Sequence, residues 1–200
     1  MRSINVFIVV CSLFAVTASF SNEINLRPTF KKNIEILDER APGSESRSKK
    51  YDTIEGYKVI TQNNIVFKWK IEGEKIRIIL KAPTDGWVAV GFNSAPKMNG
   101  ADLIIGYVVN NNQVLISDDF GVGHTHMPDI SQGGKDNIMD KLGWEKNGFT
   151  EIKFSRLLNT GDAKDMILQK GQKIALLLAY GTTKDFTSYH KVRTGLMIEL

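Results

Sequence analysis

A thioether and an imidazole, far apart in the chain, are the two side chains whose chemistry is hardest to explain as packing. Met98 lies in Lys97-Met98-Asn99-Gly100-Ala101-Asp102, and His190 lies in Ser188-Tyr189-His190-Lys191-Val192-Arg193-Thr194-Gly195. Each stands in a short polar break between apolar runs. A methionine sulfur and a histidine nitrogen are a pair that can hold a haem iron from both sides. With both axial positions filled, the iron has no open site for oxygen or substrate, so the chemistry would be one-electron transfer. A soft thioether also raises the reduction potential. The plain readings are a loop methionine filling a gap and an exposed imidazole. The polar neighbours of Met98 argue against the first, and either ligand without the other loses most of its meaning.

A second set competes. His124-Thr125-His126-Met127 offers two imidazoles and a thioether, donors that suit copper. In an extended segment, alternation places His124 and His126 on one side. A copper monooxygenase would need further histidines, and the chain has 3 in all. Asp118, Asp119, Asp129 and Asp136 share one long loop and could collect calcium through oxygen, but they lack EF-hand spacing and read first as solvated carboxylates. Asp162 and Asp165, after Thr160-Gly161, read as turn and capping residues. Gly121 and Gly123 lack the strand–helix context of a phosphate loop. No Ser-His-Asp or Cys-His set suggests a hydrolase. The formal net charge is +4, without a basic stripe interleaved with aromatics, which excludes nucleic acid as a partner.

These residues need elements to position them. The 200-residue chain is long enough for one domain with a sizeable core. Residues 1–21 read as a signal peptide: Arg2 is the basic start, Ile4 to Val16 the apolar stretch, and small residues follow for cleavage. The apolar run is shorter than the roughly 20 residues of a membrane span. The expected product is therefore secreted or periplasmic, with no stable span after cleavage. The single cysteine, Cys11, falls inside the signal, which removes disulfides, cysteine-bound metals and covalent haem from the mature chain. Residues 22–56 read as a polar, flexible lead-in. From Tyr57 to Leu200, short alternating runs are broken by Gly, Asn, Asp and Pro. Trp69 and Trp87 read as core. Eight or more strands without an amphipathic helix predict an all-β fold, an antiparallel, immunoglobulin-like β-sandwich. The stretch from Asp118 to Trp144 is too long for a plain connection, so it is functional or locally folded.

Several pieces in fixed order carry a resemblance. They are Thr84-Asp85-Gly86-Trp87-Val88-Ala89-Val90-Gly91-Phe92-Asn93 and Met98-Asn99-Gly100-Ala101-Asp102 running on to Val108. Asp118-Asp119-Phe120, Pro128-Asp129, Phe154-Ser155-Arg156 through Asp162, Ala179-Tyr180-Gly181 and Tyr189-His190 follow. Together they resemble a DOMON domain, the extracellular β-sandwich named for dopamine β-monooxygenase, over residues 57–200. The family includes haem-binding domains similar to the cytochrome part of cellobiose dehydrogenase, with Met and His as axial ligands. Other members are cofactor-free modules that bind a sugar, a metal or a protein. This chain carries both ligand types, so the resemblance implies non-covalent haem b on Met98 and His190. It also implies a redox partner protein, such as a membrane cytochrome or an oxidoreductase, and an electron carrier rather than a catalyst. Tyr189, Phe92 and Phe120 are the expected pocket walls, and Lys191 and Arg193 the expected partners of the propionates. The remaining expectations are no cofactor, or copper at His124, His126 and Met127.

Overall fold

The computed structural model describes residues 51–110 and 113–200. The expected signal peptide and most of the lead-in lie outside these residues. Twelve strands make up the described fold: β1 (Asp52–Ile54), β2 (Tyr57–Gln62), β3 (Ile65–Glu72), β4 (Lys75–Ala82), β5 (Val88–Asn93) and β6 (Asp102–Val109), then β7 (Gln113–Val122), β8 (Thr125–Pro128), β9 (Met139–Lys146), β10 (Phe149–Leu157), β11 (Lys173–Tyr180) and β12 (Val192–Glu199). One 3-10 turn covers Asp129–Gln132. No described helix is long and apolar enough to cross a membrane.

The strands form two antiparallel six-stranded sheets. One runs β1-β2-β3-β4-β10-β9 and the other β12-β11-β5-β6-β7-β8. Strict alternation in β3 and β4 turns Ile65, Phe67, Trp69, Ile76, Ile78 and Leu80 inward and leaves lysines and Arg77 outside. Val88, Val90 and Phe92 of β5 meet them from the second sheet, with Leu176 and Leu178 of β11. Phe67 stacks on Trp69 at 5.3 Å and meets Phe92 edge-on at 6.4 Å, which joins the two sheets through aromatic contacts. The expected antiparallel β-sandwich is what the chain forms.

Two boundaries differ from the sequence reading. Residues 52–54, assigned to the lead-in, pair with β2, and the Tyr51 ring packs edge-on to Trp69 while its hydroxyl accepts from the Glu199 amide at 2.8 Å. The run from Asp118 to Trp144 is largely folded. β7 continues through Asp118, Asp119 and Phe120 to Val122, and β8, the 3-10 turn and β9 follow. The sequence reading put the Asp118-Asp119 pair in a long loop. In the fold, one carboxylate goes to each face of the strand.

Candidate functional site

The Met98 loop joins β5 to β6 and is tied down from beneath. The buried Asn93 amide Nδ2 donates to the carbonyls of Lys97 at 2.8 Å and Asn99 at 3.2 Å. Gly100 donates to the Gly121 carbonyl, and Gly121 donates back to Ala101 at 2.8 Å. A Cβ on Gly121 would stand 1.9 Å from the Met98 carbonyl oxygen, so only glycine lets the loop lie against β7 here. Met98 is half-buried.

The His190 loop joins β11 to β12 and rests on Trp87. A Cβ on Gly181 would stand 2.2 Å from the indole Nε1, which makes this second glycine obligatory. That Nε1 donates to Ser188 Oγ at 2.9 Å. Asp185 Oδ1 accepts from the Thr187 and Ser188 amides at 2.8 and 2.6 Å. The Thr183 hydroxyl, then those amides, hold the Asp185 carboxyl down at about 2. Phe186 meets Tyr107 at 4.8 Å, and the Lys191 amide returns to the Tyr180 carbonyl at 2.8 Å. The loop is ordered by local polar bonds, yet its tip is open. Tyr189 is 95% exposed, and His190 is exposed with no hydrogen-bond partner among the described residues.

The register sets the two loops apart. Tyr180 pairs with Val88 and Val192, so His190 roots at one end of β5, while the Met98 loop leaves from Asn93 at the other end. Five residues of extended strand separate the two roots, about 17 Å. Both loops nevertheless bend onto the outer face of the same sheet. Pro96 packs over the positions of Gly195 and Leu177, and Phe186 covers Tyr107. Since Val88, Val90 and Phe92 turn inward, Ala89 and Gly91 face outward, with Ala179, Leu177, Leu103 and Ile105 beside them. The floor between the loops is apolar, with the Leu103 and Leu177 side chains packed over Gly91.

Other expected pocket residues are distributed differently. Phe92 is fully buried in the inter-sheet core, and Phe120 shares the inner face of Asp102 with Lys164 4.7 Å from its ring. Neither lies on the face that carries the two loops. Inward alternation, which aromatic character alone does not reveal, decides this. Arg193 is exposed opposite Ala179 at the outer face, and Lys191 is exposed beside His190. The copper candidates also separate. His126 Nδ1 bonds Asp119 Oδ2 at 2.5 Å, while His124 lies in the turn before β8, outside the extended segment that would align the two. Met127 is exposed.

On the inner side of the same sheet stands a charged group that the motif reading left without a role. Arg156 of β10 is fully buried, with Nη2 donating to Asp102 Oδ2 at 2.6 Å and to the Met166 carbonyl at 2.8 Å. Nη1 lies 3.6 Å from Asp165 Oδ2. Asp118 and Asp129 are buried nearby, and Asn137 bridges the group. Its amide donates to Asp118 Oδ2 at 2.8 Å, and its Nδ2 donates to Asp165 Oδ2 at 3.0 Å. Burial is the chief reason that the Asp102 carboxyl is pushed up to about 6, against the pull of Arg156. Burial likewise pushes Asp118 to about 8 and Asp129 to about 7. Asp162 does act as a turn residue, accepting from the Lys164 and Lys135 amides. Asp165 instead turns inward. Asp119 and Asp136 belong elsewhere, one on His126 and the other exposed on Lys141 at 2.6 Å. A charged residue in an otherwise apolar alternation, Arg156 after Ile152 and Phe154, was the available signal for this cluster.

Comparison with known proteins places this architecture. The DOMON domain family matches residues 61–181. The human DOMON domain-containing protein FRRS1L is 40% identical over 91 residues, covering 46% of this chain and 30% of that protein. The human putative DBH-like monooxygenase protein 2 is 28% identical over 133 residues, covering 64% of this chain and 26% of that protein. The chain thus spans less than a third of the length of these relatives. Among solved structures, the cytochrome b domain of pyranose dehydrogenase from Coprinopsis cinerea superposes with a TM-score of 0.53 at 18% identity, covering 75% of this chain and 86% of that one. The cytochrome domain of Myriococcum thermophilum cellobiose dehydrogenase gives 0.50 at 13% identity, covering 72% and 82%. At these identities the likeness is one of fold.

Proposed function

This chain belongs to the DOMON domain family, and from that premise we propose that it is an exported b-type haem protein that carries single electrons to or from a redox partner protein. The observation that carries the reading is the approach of two donor-bearing loops to one apolar sheet face from opposite ends. The donor set fits the group: a half-buried thioether at Met98 and an imidazole at His190 with no other hydrogen-bond partner among the described residues. Ala89, Gly91 and Ala179 face outward on that sheet, with the Leu103 and Leu177 side chains packed over Gly91, so the face is apolar. Haem bound there supplies one-electron iron chemistry without an open coordination site. Met98 and His190 would hold it, with Tyr189 beside them and Arg193 and Lys191 available to its carboxylates. Asn93, Gly121 and Trp87 hold the bases of the two loops in place.

The test is the visible spectrum of the folded protein reconstituted with haem. Low-spin, six-coordinate bands are expected. His190→Ala should abolish haem retention or turn it high-spin, and Met98→Ala should lower the potential and admit carbon monoxide. A folded protein with no Soret band would instead support the cofactor-free module. Copper uptake dependent on His124 and His126 would support the metal reading.

A further inference from the structure

We propose that the outer face of the other sheet, over β2, β3, β4, β10 and β9, docks on a lipid bilayer surface that carries anionic headgroups. The haem reading concerns the opposite sheet, and this face stands without it.

Strand register builds the face. Val59 pairs with Lys68, Lys68 with Ile79, Ile79 with Lys153, and Lys153 with Leu142. The row beside it runs Thr61, Val66, Lys81, Glu151 and Trp144. The alternate residues, among them Phe67, Ile78, Leu80 and Ile152, fill the core, so both rows point outward. Five strands at about 4.8 Å spacing carry them across about 19 Å. Lysines and apolar side chains thus alternate like a checkerboard. Each lysine stem can lie along an apolar neighbour while its ammonium stays in water, an arrangement that matches a headgroup layer above acyl chains.

The charges are available. Lys68, Lys81 and Lys146 have no ion-pair partner among the described residues, and Lys153 meets Glu151 only at 3.8 Å. Glu151 is the one carboxylate in the two rows. The apolar part is also uncovered: Leu142 is 60% exposed and Phe149, opposite Lys146, 39%. A bilayer with anionic headgroups complements both properties at once. Trp144 adds a side chain that favours the boundary between headgroups and hydrocarbon.

A carbohydrate fits less well. Lys153 Nζ stands 4.5 Å from the Trp144 ring centroid, and Lys81 Nζ 4.7 Å from that of Phe149. A sugar stacking on either ring would have to displace an ammonium. Leu142, Ile79 and Val66 offer a sulfated glycan no hydrogen bond, whereas acyl chains accept them. Since no described helix is long and apolar enough to cross a membrane, this is surface docking.

The experiment sediments the full folded chain with phosphatidylcholine vesicles, with and without about 30% phosphatidylglycerol, at about 0.1 M salt. Binding to the anionic vesicles should exceed binding to the neutral ones at least ~10-fold and fall as salt rises. Lys68→Glu combined with Lys153→Glu should lower it at least ~10-fold with an unchanged circular dichroism spectrum. Leu142→Asp should weaken it ~3-fold or more. Lys173→Glu, at an exposed position of β11 on the other sheet, should leave it unchanged. Any contribution from the apolar run Ile4 to Val16 is common to all these variants. If the double variant does not fold, brominated lipid carries the same test. Of the 3 tryptophans, Trp69 and Trp87 are buried, so quenching should come from Trp144 and vanish in Trp144→Phe. Folded wild type that ignores anionic vesicles, or binds neutral ones equally, would overturn the docking face. So would full binding in the double variant, equal loss in Lys173→Glu, or capture by soluble heparin without vesicle binding.

Discussion

The outer and inner faces of one sheet solve opposite problems at nearly the same place. Outside, the Met98 and His190 loops are held by local bonds at their bases: Asn93 to backbone carbonyls under one, Asp185 to backbone amides and Trp87 to the Ser188 hydroxyl under the other. Inside, only four residues after Met98, Asp102 begins a buried network whose polar atoms face one another and Arg156. An exposed donor can be exchanged with little effect on folding, because water solvates it in both states. A buried charge cannot, because its partner is then left alone in a low-dielectric interior. The residues proposed to bind the ligand and the residues that determine stability are therefore separable on this sheet, and four experiments sharpen or break that division.

The largest effect is expected from Arg156→Leu. Removing the fully buried guanidinium leaves Asp102 and Asp165 without their cation, and a loss of about 3–5 kcal/mol of stability should follow in denaturant unfolding. A loss below about 1 kcal/mol would mean that the carboxylates are already neutralised by another means.

Next comes pH. Asp118 is held at about 8, Asp129 at about 7 and Asp102 at about 6, all above the ordinary carboxylate value, with burial the main cause. A raised carboxyl binds its proton more tightly when folded. The stability it contributes is complete below the ordinary value near 4 and is lost as pH rises through the raised one. The melting temperature should accordingly fall by several degrees between about pH 4 and pH 8. A protein that gains stability across this window would contradict the buried-acid account.

Gly121→Ala should act on the outer face alone. Its Cβ would stand 1.9 Å from the Met98 carbonyl, so the loop must shift, at a cost of about 1–3 kcal/mol. Haem retention should fall with it. A loss of stability well above that range would show that the two faces are coupled through β7.

Tyr189→Ala is the smallest expected change in stability, within about 0.5 kcal/mol, because the ring is 95% exposed. Its effect should appear in haem affinity or in the rate of electron exchange. A large drop in thermal stability would place Tyr189 in the fold and not in the site.

Local pattern and global register contributed differently to what could be read. Strict alternation in β3 and β4 declares which side chains turn inward, since the strand period is two and one face must leave water. Met98 and His190 stand out for a related reason: each stands in a polar break that packing does not explain. Phe92 and Phe120 were assigned to the cofactor side on aromatic character, and the inward phase of β5 and β7 assigns them to the interior.

The sequence by itself determined the all-β class, most of the strands, the loops that carry sulfur and imidazole, and the motif order of the family, because these depend on neighbours a few residues away. Only the tertiary structure decided that the two loops root at opposite ends of β5 yet share one face. It alone decided that Asp118 and Asp119 part company, and that Asp102, Asp118, Arg156 and Asp165 converge. The physical reason is that these positions are fixed by strand pairing across long stretches of chain. Their energies arise from burial, which no residue possesses until the sheets have closed.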